Sequence, residues 1–511
     1  MAVQISYSVS PGVAKNSKPA SVPEKLQQAL GLHQQGQTTH AQAIYLEILR
    51  IEPNHSEALH LLGLVAAQDG KPQVAAELMR KAIESDPRNV AAYCNRATVL
   101  KSLGQLSAAL ASYDHAIGIA PDLGAAYFNR GSVLQELKQL DAALASYDRA
   151  IAINVDFAEA HCGRGGVLME FGQWDAALIS LNQAIAIEPD LAEAHLLRSM
   201  TLLLLGDYRS GWQEYEWRWN VETSRTFKEK RSFQQPLWLG QESIAGKSVL
   251  LYMEQGFGDA IQFCRYTKMV AAIGARVILE VQEPLAVLLS DLDGVSHLVT
   301  RGSTLPGFDY QCPLLSLPLA FKTTVDSIPS PSRYLVGDAI KVARWQRKLA
   351  GLVDKTRPLI GLVWSGRPTH EKDHNRSIQF AELIRHLPRN CQYITLQKEI
   401  RELDRSALES NPHIFNFSSD LTDFSDTAAL CECLDLVISV DTSVAHLSGA
   451  LGKRTWILLP FSPDWRWLLD REDSSPWYSQ VKLYRQKQIG DWNEVLNQVS
   501  IDLVQTFNVV K

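Results

Sequence analysis

Between the apolar runs "LDLVISV" and "TWILLP" the chain places Asp441, Thr442 and Ser443, with His446 one helical turn further on. The small-residue stretch "VAHLSGALG" follows the triplet, so these polar groups stand where a strand passes into a helix. The first turn of a helix offers free N–H donors and the positive end of its dipole, which suits a phosphate. Thr442 and Ser443 add hydroxyl donors. A carboxylate cannot serve the phosphate, so Asp441 is better suited to accept from sugar hydroxyls beside it. The plainer roles are a helix N-cap for Asp441 and a packing histidine for His446.

Two further loops carry chemistry. In "EQGFGDAIQF", Gly256 and Gly258 permit a tight turn in which the backbone approaches a ligand, and Asp259 begins a helix as either a functional acid or an N-cap. In "SGRPTHEKDHNRSIQF", His370 and His374 are four apart with acids between them. Pro368 and the charge density make this a loop rather than the helix that a zinc-binding histidine pair needs, so a metal site is not expected. Arg376, just before a helix, suits a diphosphate clamp.

These loops must be held by strands. "KSVLLYM", "RVILEV", "HLVT" and "FDYQCPLL" form one series of short apolar runs. "PLIGLVWSG", "CQYITLQ", "HIFNF", "LDLVISV" and "TWILLP" form a second. Apolar runs of this length alternating with helical segments predict parallel sheets covered on both faces. Two series predict two Rossmann-like halves, residues 245–350 and 351–511, with ligands in a cleft at the carboxyl ends of their strands.

The first part of the chain has a different rhythm. Pro53, Pro87, Pro121 and Pro189 lie on a 34-residue period whose remaining position is Val155. Ala41, Ala75, Ala109, Ala143 and Ala177 keep the same spacing, as do the turn glycines Gly36, Gly70, Gly104, Gly172 and Gly206, with Lys138 the exception. Small residues let paired helices approach, and the proline ends each second helix. The pattern resembles the tetratricopeptide repeat over residues 22–220, which implies a helical superhelix with a peptide-binding groove. Arg96, Arg130, Arg164 and Arg198 recur at this period, with Asn95 and Asn129 beside two of them. They read either as peptide-holding donors or as stems packed between repeats with their heads in solvent. Trp212, Tyr215, Trp217 and Trp219 read as a cap that seals the last repeat, before a polar connector at 221–244.

Composition limits the alternatives. A net charge of −6 argues against a nucleic-acid footprint or a polybasic membrane patch, and no apolar run is long enough to span a bilayer. Residues 1–21 read as a disordered polar lead without the apolar core of a signal peptide. Seven scattered cysteines with no Cys-x-x-Cys pair point to a reduced, metal-free, cytoplasmic protein.

The runs "GFGDAIQF", "SGRPTHEKDHNRSI", "TLQKE" and "VISVDTSVAHLSGALGK" together resemble the heptosyltransferase-type family of inverting GT-B glycosyltransferases. "LPFSPDWRWLL", "SPWY" and "LYRQ" resemble its bacterial subgroup fused to tetratricopeptide repeats. The resemblance implies a nucleotide-sugar donor as co-substrate, no cofactor or metal, and inversion at the anomeric carbon. It further implies Asp441 on the donor sugar and Thr442, Ser443 and Arg376 on the diphosphate; His446, one turn in on the same face as Thr442, is a further candidate for the donor site. Gln397 or Glu399 would lie near the ribose, and Asp259 would be the acceptor base. The layout is also similar to that of nucleocytoplasmic O-GlcNAc transferases, so a protein acceptor recruited by the repeats is expected. The alternatives are transfer to a lipid-linked saccharide, or a repeat scaffold whose glycosyltransferase domain is inactive.

Overall fold

The computed structural model describes residues 20–369 and 372–508, so His370 of the considered metal pair lies outside the described residues. Six helix pairs come first: Val22–Gln34 with Thr38–Ile51, Ser56–Gln68 with Pro72–Ser85, Val90–Ser102 with Leu106–Ile119, Gly124–Glu136 with Leu140–Ile153, Ala158–Glu170 with Trp174–Ile187, and Ala192–Leu204 with Tyr208–Tyr215. The periodic small residues sit where the helices touch. All five periodic alanines are fully buried. A Cβ on Gly131 would lie 2.8 Å from the Tyr147 ring, and one on Gly165 would lie 2.7 Å from Leu181. The turn glycines adopt φ between 68° and 88°, and Lys138 takes the same left-handed conformation at 61°.

The chain divides into two compact units, one ending at Arg164 and the other running from Gly165 to Lys511. The second unit therefore contains the last helices of the repeat series together with the α/β region. The two share a core: Leu203, Tyr208, Trp212 and Tyr215 belong to one buried cluster with Val249, Phe263 and Trp465. Trp212 meets Trp465 edge-on, with ring centroids 5.2 Å apart. The aromatic cluster thus covers the end of the repeats, as the cap reading expects. Inside it lies a charge that reading did not consider. Arg218, 1% exposed, donates two hydrogen bonds to Glu254 at 3.0 and 3.1 Å and others to Glu216 and Ser316. Burial pushes the Glu254 carboxyl up to about 7, against the pull of Arg218.

The α/β region holds two sheets. The first comprises β1 (Ser248–Tyr252), β2 (Arg276–Val281), β3 (Val295–Thr300) and β4 (Tyr310–Pro313), in the order β3-β2-β1-β4. The second comprises β5 (Leu359–Val363), β6 (Gln392–Thr395), β7 (Ile414–Asn416), β8 (Leu436–Val440), β9 (Thr455–Leu459) and β10 (Val481–Arg485), in the order β10-β9-β8-β5-β6-β7. All pairings are parallel. The second order is that of a doubly wound sheet, with its switch point between β5 and β8. β10 was not among the expected strands. The helix Ala339–Ala350, expected in the first half, instead packs on the second, with Trp345 5.3 Å from Phe417 and Lys341 3.1 Å from Asp423. The helix expected to begin at Asp259 starts at Phe257 and ends at Phe263, followed by a 3-10 turn at Cys264–Tyr266 and a second helix at Thr267–Ala272.

Candidate functional site

At the switch point, the loops after β5 and β8 meet. Arg376 closes a one-turn helix, Asp373–Arg376, and its Nη1 donates to the Asp441 carbonyl at 2.8 Å. Gly366 makes room for it, since a Cβ there would lie 2.5 Å from the guanidinium. The buried Nε of Arg376 makes no hydrogen bond among the described residues and lies 3.7 Å from Asp373 Oδ1. Arg401, which the sequence reading did not single out, donates to the Gly366 carbonyl at 2.8 Å and Ser377 Oγ at 3.1 Å, and pairs with Asp373. The loop after β6 joins through Gln397, whose amide bonds Ser365 N–H at 3.3 Å, Ser365 O at 3.0 Å and Glu399 O at 3.2 Å. Gln397 is buried in that bridge, whereas Glu399 is exposed.

Thr442 stands at the N-cap of the helix Ser443–Ala450 without a side-chain cap bond; its Oγ1 lies 3.1 Å from Ser439 Oγ. Among the described residues no side chain caps this helix start, so the N–H groups of Ser443 and Val444 are not consumed by a cap. The Asp441 side chain is 15% exposed. Burial, reinforced by the charge of Asp464, raises its carboxyl to about 6. His446 is buried: Nδ1 lies 2.9 Å from Tyr478 OH, and the ring stacks on Trp467 at 5.3 Å. Burial holds it neutral, down to about 3, with Nε2 3.9 Å from Asp441 Oδ1. These contacts are those of a histidine that packs and orients.

The first sheet contributes the helix Phe257–Phe263, packed against Ser443–Ala450. Gly256 and Gly258 do not form the tight turn expected of them. Gly256 is extended (φ −78°, ψ 170°), and Gly258 lies within the helix. What Gly258 supplies is proximity: a Cβ would sit 3.0 Å from His446 Cδ2 and 3.4 Å from Ser443 Cα. Asp259 folds back so that Oδ2 accepts from Gly256 N–H at 2.8 Å, while Oδ1 accepts from Arg466 Nη2 at 2.5 Å. The first bond is the N-terminal capping role; the second is not. Burial raises the Asp259 carboxyl, and Arg466 draws it back. Asp464 also binds Arg466, at 2.8 Å, and is held below the ordinary carboxylate range despite its burial.

The periodic arginines bond both within their own repeats and to neighbouring ones. Arg96 donates to Ser112 at 2.9 Å. Arg130 donates to Asp114 and Ser146, each at 2.7 Å. Arg164 pairs with Asp148 at 2.7 Å, and Arg198 with Asn182 at 3.0 Å and Glu214 at 2.6 Å. Asn95 lies 2.8 Å from His60 Nε2, and Asn129 is half-buried. The guanidinium heads are thus engaged by the chain's own acids, amide and hydroxyls.

Family profiles described as tetratricopeptide repeat match residues 78–111, and 26–90 with 128–192. Protein FlbA of Caulobacter vibrioides is 27% identical over 334 residues, 59% of this chain and 53% of that protein, so the chain spans about half the relative's length. A share of 59% exceeds what residues 22–220 can fill, so the likeness runs into the α/β region. Among solved structures, PilF of Pseudomonas aeruginosa is 20% identical, with 41% of this chain and 95% of that chain covered, at a TM-score of 0.37. YrrB, described as a TPR protein with an unusual peptide-binding site, is 24% identical, with 34% and 90% covered, at a TM-score of 0.31. Within residues 26–192, then, the chain is a series of tetratricopeptide repeats, followed by an α/β region of two parallel sheets.

Proposed function

We propose that the α/β region is an inverting, metal-independent GT-B glycosyltransferase, and that the repeats recruit its protein acceptor in the cytoplasm. A nucleotide sugar lies with its diphosphate at the uncapped start of the helix Ser443–Ala450, held by Thr442, Ser443 and Arg376. Asp441 accepts from hydroxyls of the transferred sugar. Asp259 accepts the proton of the acceptor hydroxyl as the new carbon–oxygen bond forms on the face opposite the departing diphosphate. The N–H groups and the arginine take up the charge of the leaving group, so no divalent ion is required.

The observation that carries this reading is the seating of Asp259's helix against Ser443 and His446, made possible by Gly258. A carboxylate of one half then borders the anion-binding turn of the other. The test is release of nucleoside diphosphate from a panel of UDP-, GDP-, ADP- and dTDP-sugars by the full chain in excess EDTA. Turnover of at least one donor is expected. Turnover of none, or turnover only when magnesium or manganese is restored, contradicts the reading.

A further inference from the structure

Arg466 lies on the 3-10 turn Trp465–Trp467, which follows β9 of the second sheet, yet its guanidinium reaches the helix Phe257–Phe263 of the first. All three of its nitrogens are engaged. Nη2 donates to Asp259 Oδ1 at 2.5 Å, Nη1 to Asp464 Oδ1 at 2.8 Å and Nε to the buried Gln262 Oε1 at 2.8 Å. The group lies over the Trp465 ring, 4.0 Å from its centroid, and the side chain is 8% exposed. A cation so fully engaged and stacked is a fixed strut, not a mobile arm. Asp259 is therefore gripped on one oxygen by Gly256 N–H of its own half and on the other by a cation from the opposite half.

We propose that Arg466 is the positioning residue for Asp259: the donor-side half supplies the cation that orients the acceptor-side base, so Asp259 takes up a proton competently only when the halves are closed. The inference rests on the glycosyltransferase reading. In that reaction the acceptor oxygen bonds to the anomeric carbon, and the bond from that carbon to the diphosphate oxygen breaks with its electron pair leaving on the diphosphate. The acceptor's proton passes to Asp259. Once neutral, Asp259 no longer forms an ion pair with Arg466, which favours opening of the halves and loss of the proton to water. Among the described residues, Arg466, Asp464, Glu254 and Tyr215 act on Asp259. Arg466 is the one cation among them, so its removal leaves the carboxylate facing two acids.

The test uses the full chain with Arg466→Gln and, as a charge-retaining control, Arg466→Lys. Asp259 is 20% exposed, so its protonated form can be trapped with a water-soluble carbodiimide and glycine methyl ester, and the extent read by peptide mass spectrometry against pH. The midpoint of labelling is expected to rise by at least about 1 pH unit in Arg466→Gln and by less in Arg466→Lys. With the nucleotide sugar turned over fastest in the panel, kcat of Arg466→Gln should fall at least about 10-fold while KM for the donor stays near parental. Native tryptophan fluorescence of either variant establishes that it folds. An unchanged labelling midpoint, or a shifted midpoint with parental kcat, overturns the proposal. If the parental chain turns over no nucleotide sugar, the glycosyltransferase reading fails, and a labelling shift then marks only a structural ion pair.

Discussion

Asp441→Asn is expected to make the protein more stable at neutral pH while weakening the proposed donor site. Burial, and then the nearby charge of Asp464, lift the Asp441 carboxyl from an ordinary 3.8 to about 6. A carboxyl raised on folding lowers stability where it must ionise. Below pH 3.8 both native and unfolded states are protonated and nothing is lost; between 3.8 and 6 the unfolded chain ionises first and native stability falls; above 6 the full loss is present. About two pKa units at about 1.4 kcal/mol each place that loss at about 3 kcal/mol at pH 7.5 and about 1 kcal/mol at pH 4.5. Asparagine keeps the shape without the charge, so the variant should gain these amounts. All twelve tryptophans lie at position 174 or later, so tryptophan fluorescence during urea unfolding reports on the unit from Gly165 alone. Equal stabilities at pH 7.5, or the same gain at both pH values, would refute the argument that Asp441 is a strained, ionised acid. Such a sacrifice of stability is characteristic of acids retained for binding.

Three further outcomes follow from the packing. Gly258→Ala places a methyl 3.0 Å from the pinned His446 ring and 3.4 Å from Ser443 Cα, and should cost about 1–3 kcal/mol by the same fluorescence assay; parental stability would mean that the helices do not approach this closely. Arg218→Met leaves the buried Glu254 and the half-buried Glu216 without their cation and should cost about 3–5 kcal/mol, much of it recovered when Glu254→Leu is added; absence of recovery would contradict the pairing. A fragment starting at residue 225 loses Leu203, Tyr208, Trp212 and Tyr215 from the shared core and should aggregate on size-exclusion chromatography, whereas one starting at 165 should elute as a single species; a well-behaved 225 fragment would refute the shared core.

The repeats were legible because period and small residues coincide five times and the terminal proline four times, and Lys138 broke the glycine pattern without breaking the turn. Nine strands were legible as apolar runs. β10 was not, because an edge strand reading "VKLYR" carries Lys482 and Arg485 on its partly exposed positions. The break at Cys264–Tyr266 has no Pro or Gly to announce it. The loops of the candidate site were legible from strand ends, but the charges that join them were not. Arg466 meets Asp259 across 207 positions, and within "DWRW" it reads as one residue of an aromatic run. Arg218 is hidden in the same way within "EYEWRWN". Local pattern marks which residues have the right chemistry; only the packing shows that Gly258 admits His446 and that Gln397 is consumed in a bridge.

The central claim is that Asp259 is the base of a glycosyl transfer, and Asp259→Asn tests it most directly. Asparagine keeps an oxygen for Gly256 N–H but cannot take a proton. With the donor that the parental chain turns over, the account predicts turnover at least about 10²-fold lower, with native tryptophan fluorescence and nearly parental donor affinity. Near-parental turnover by a folded Asp259→Asn protein would contradict it and leave Asp259 a helix cap.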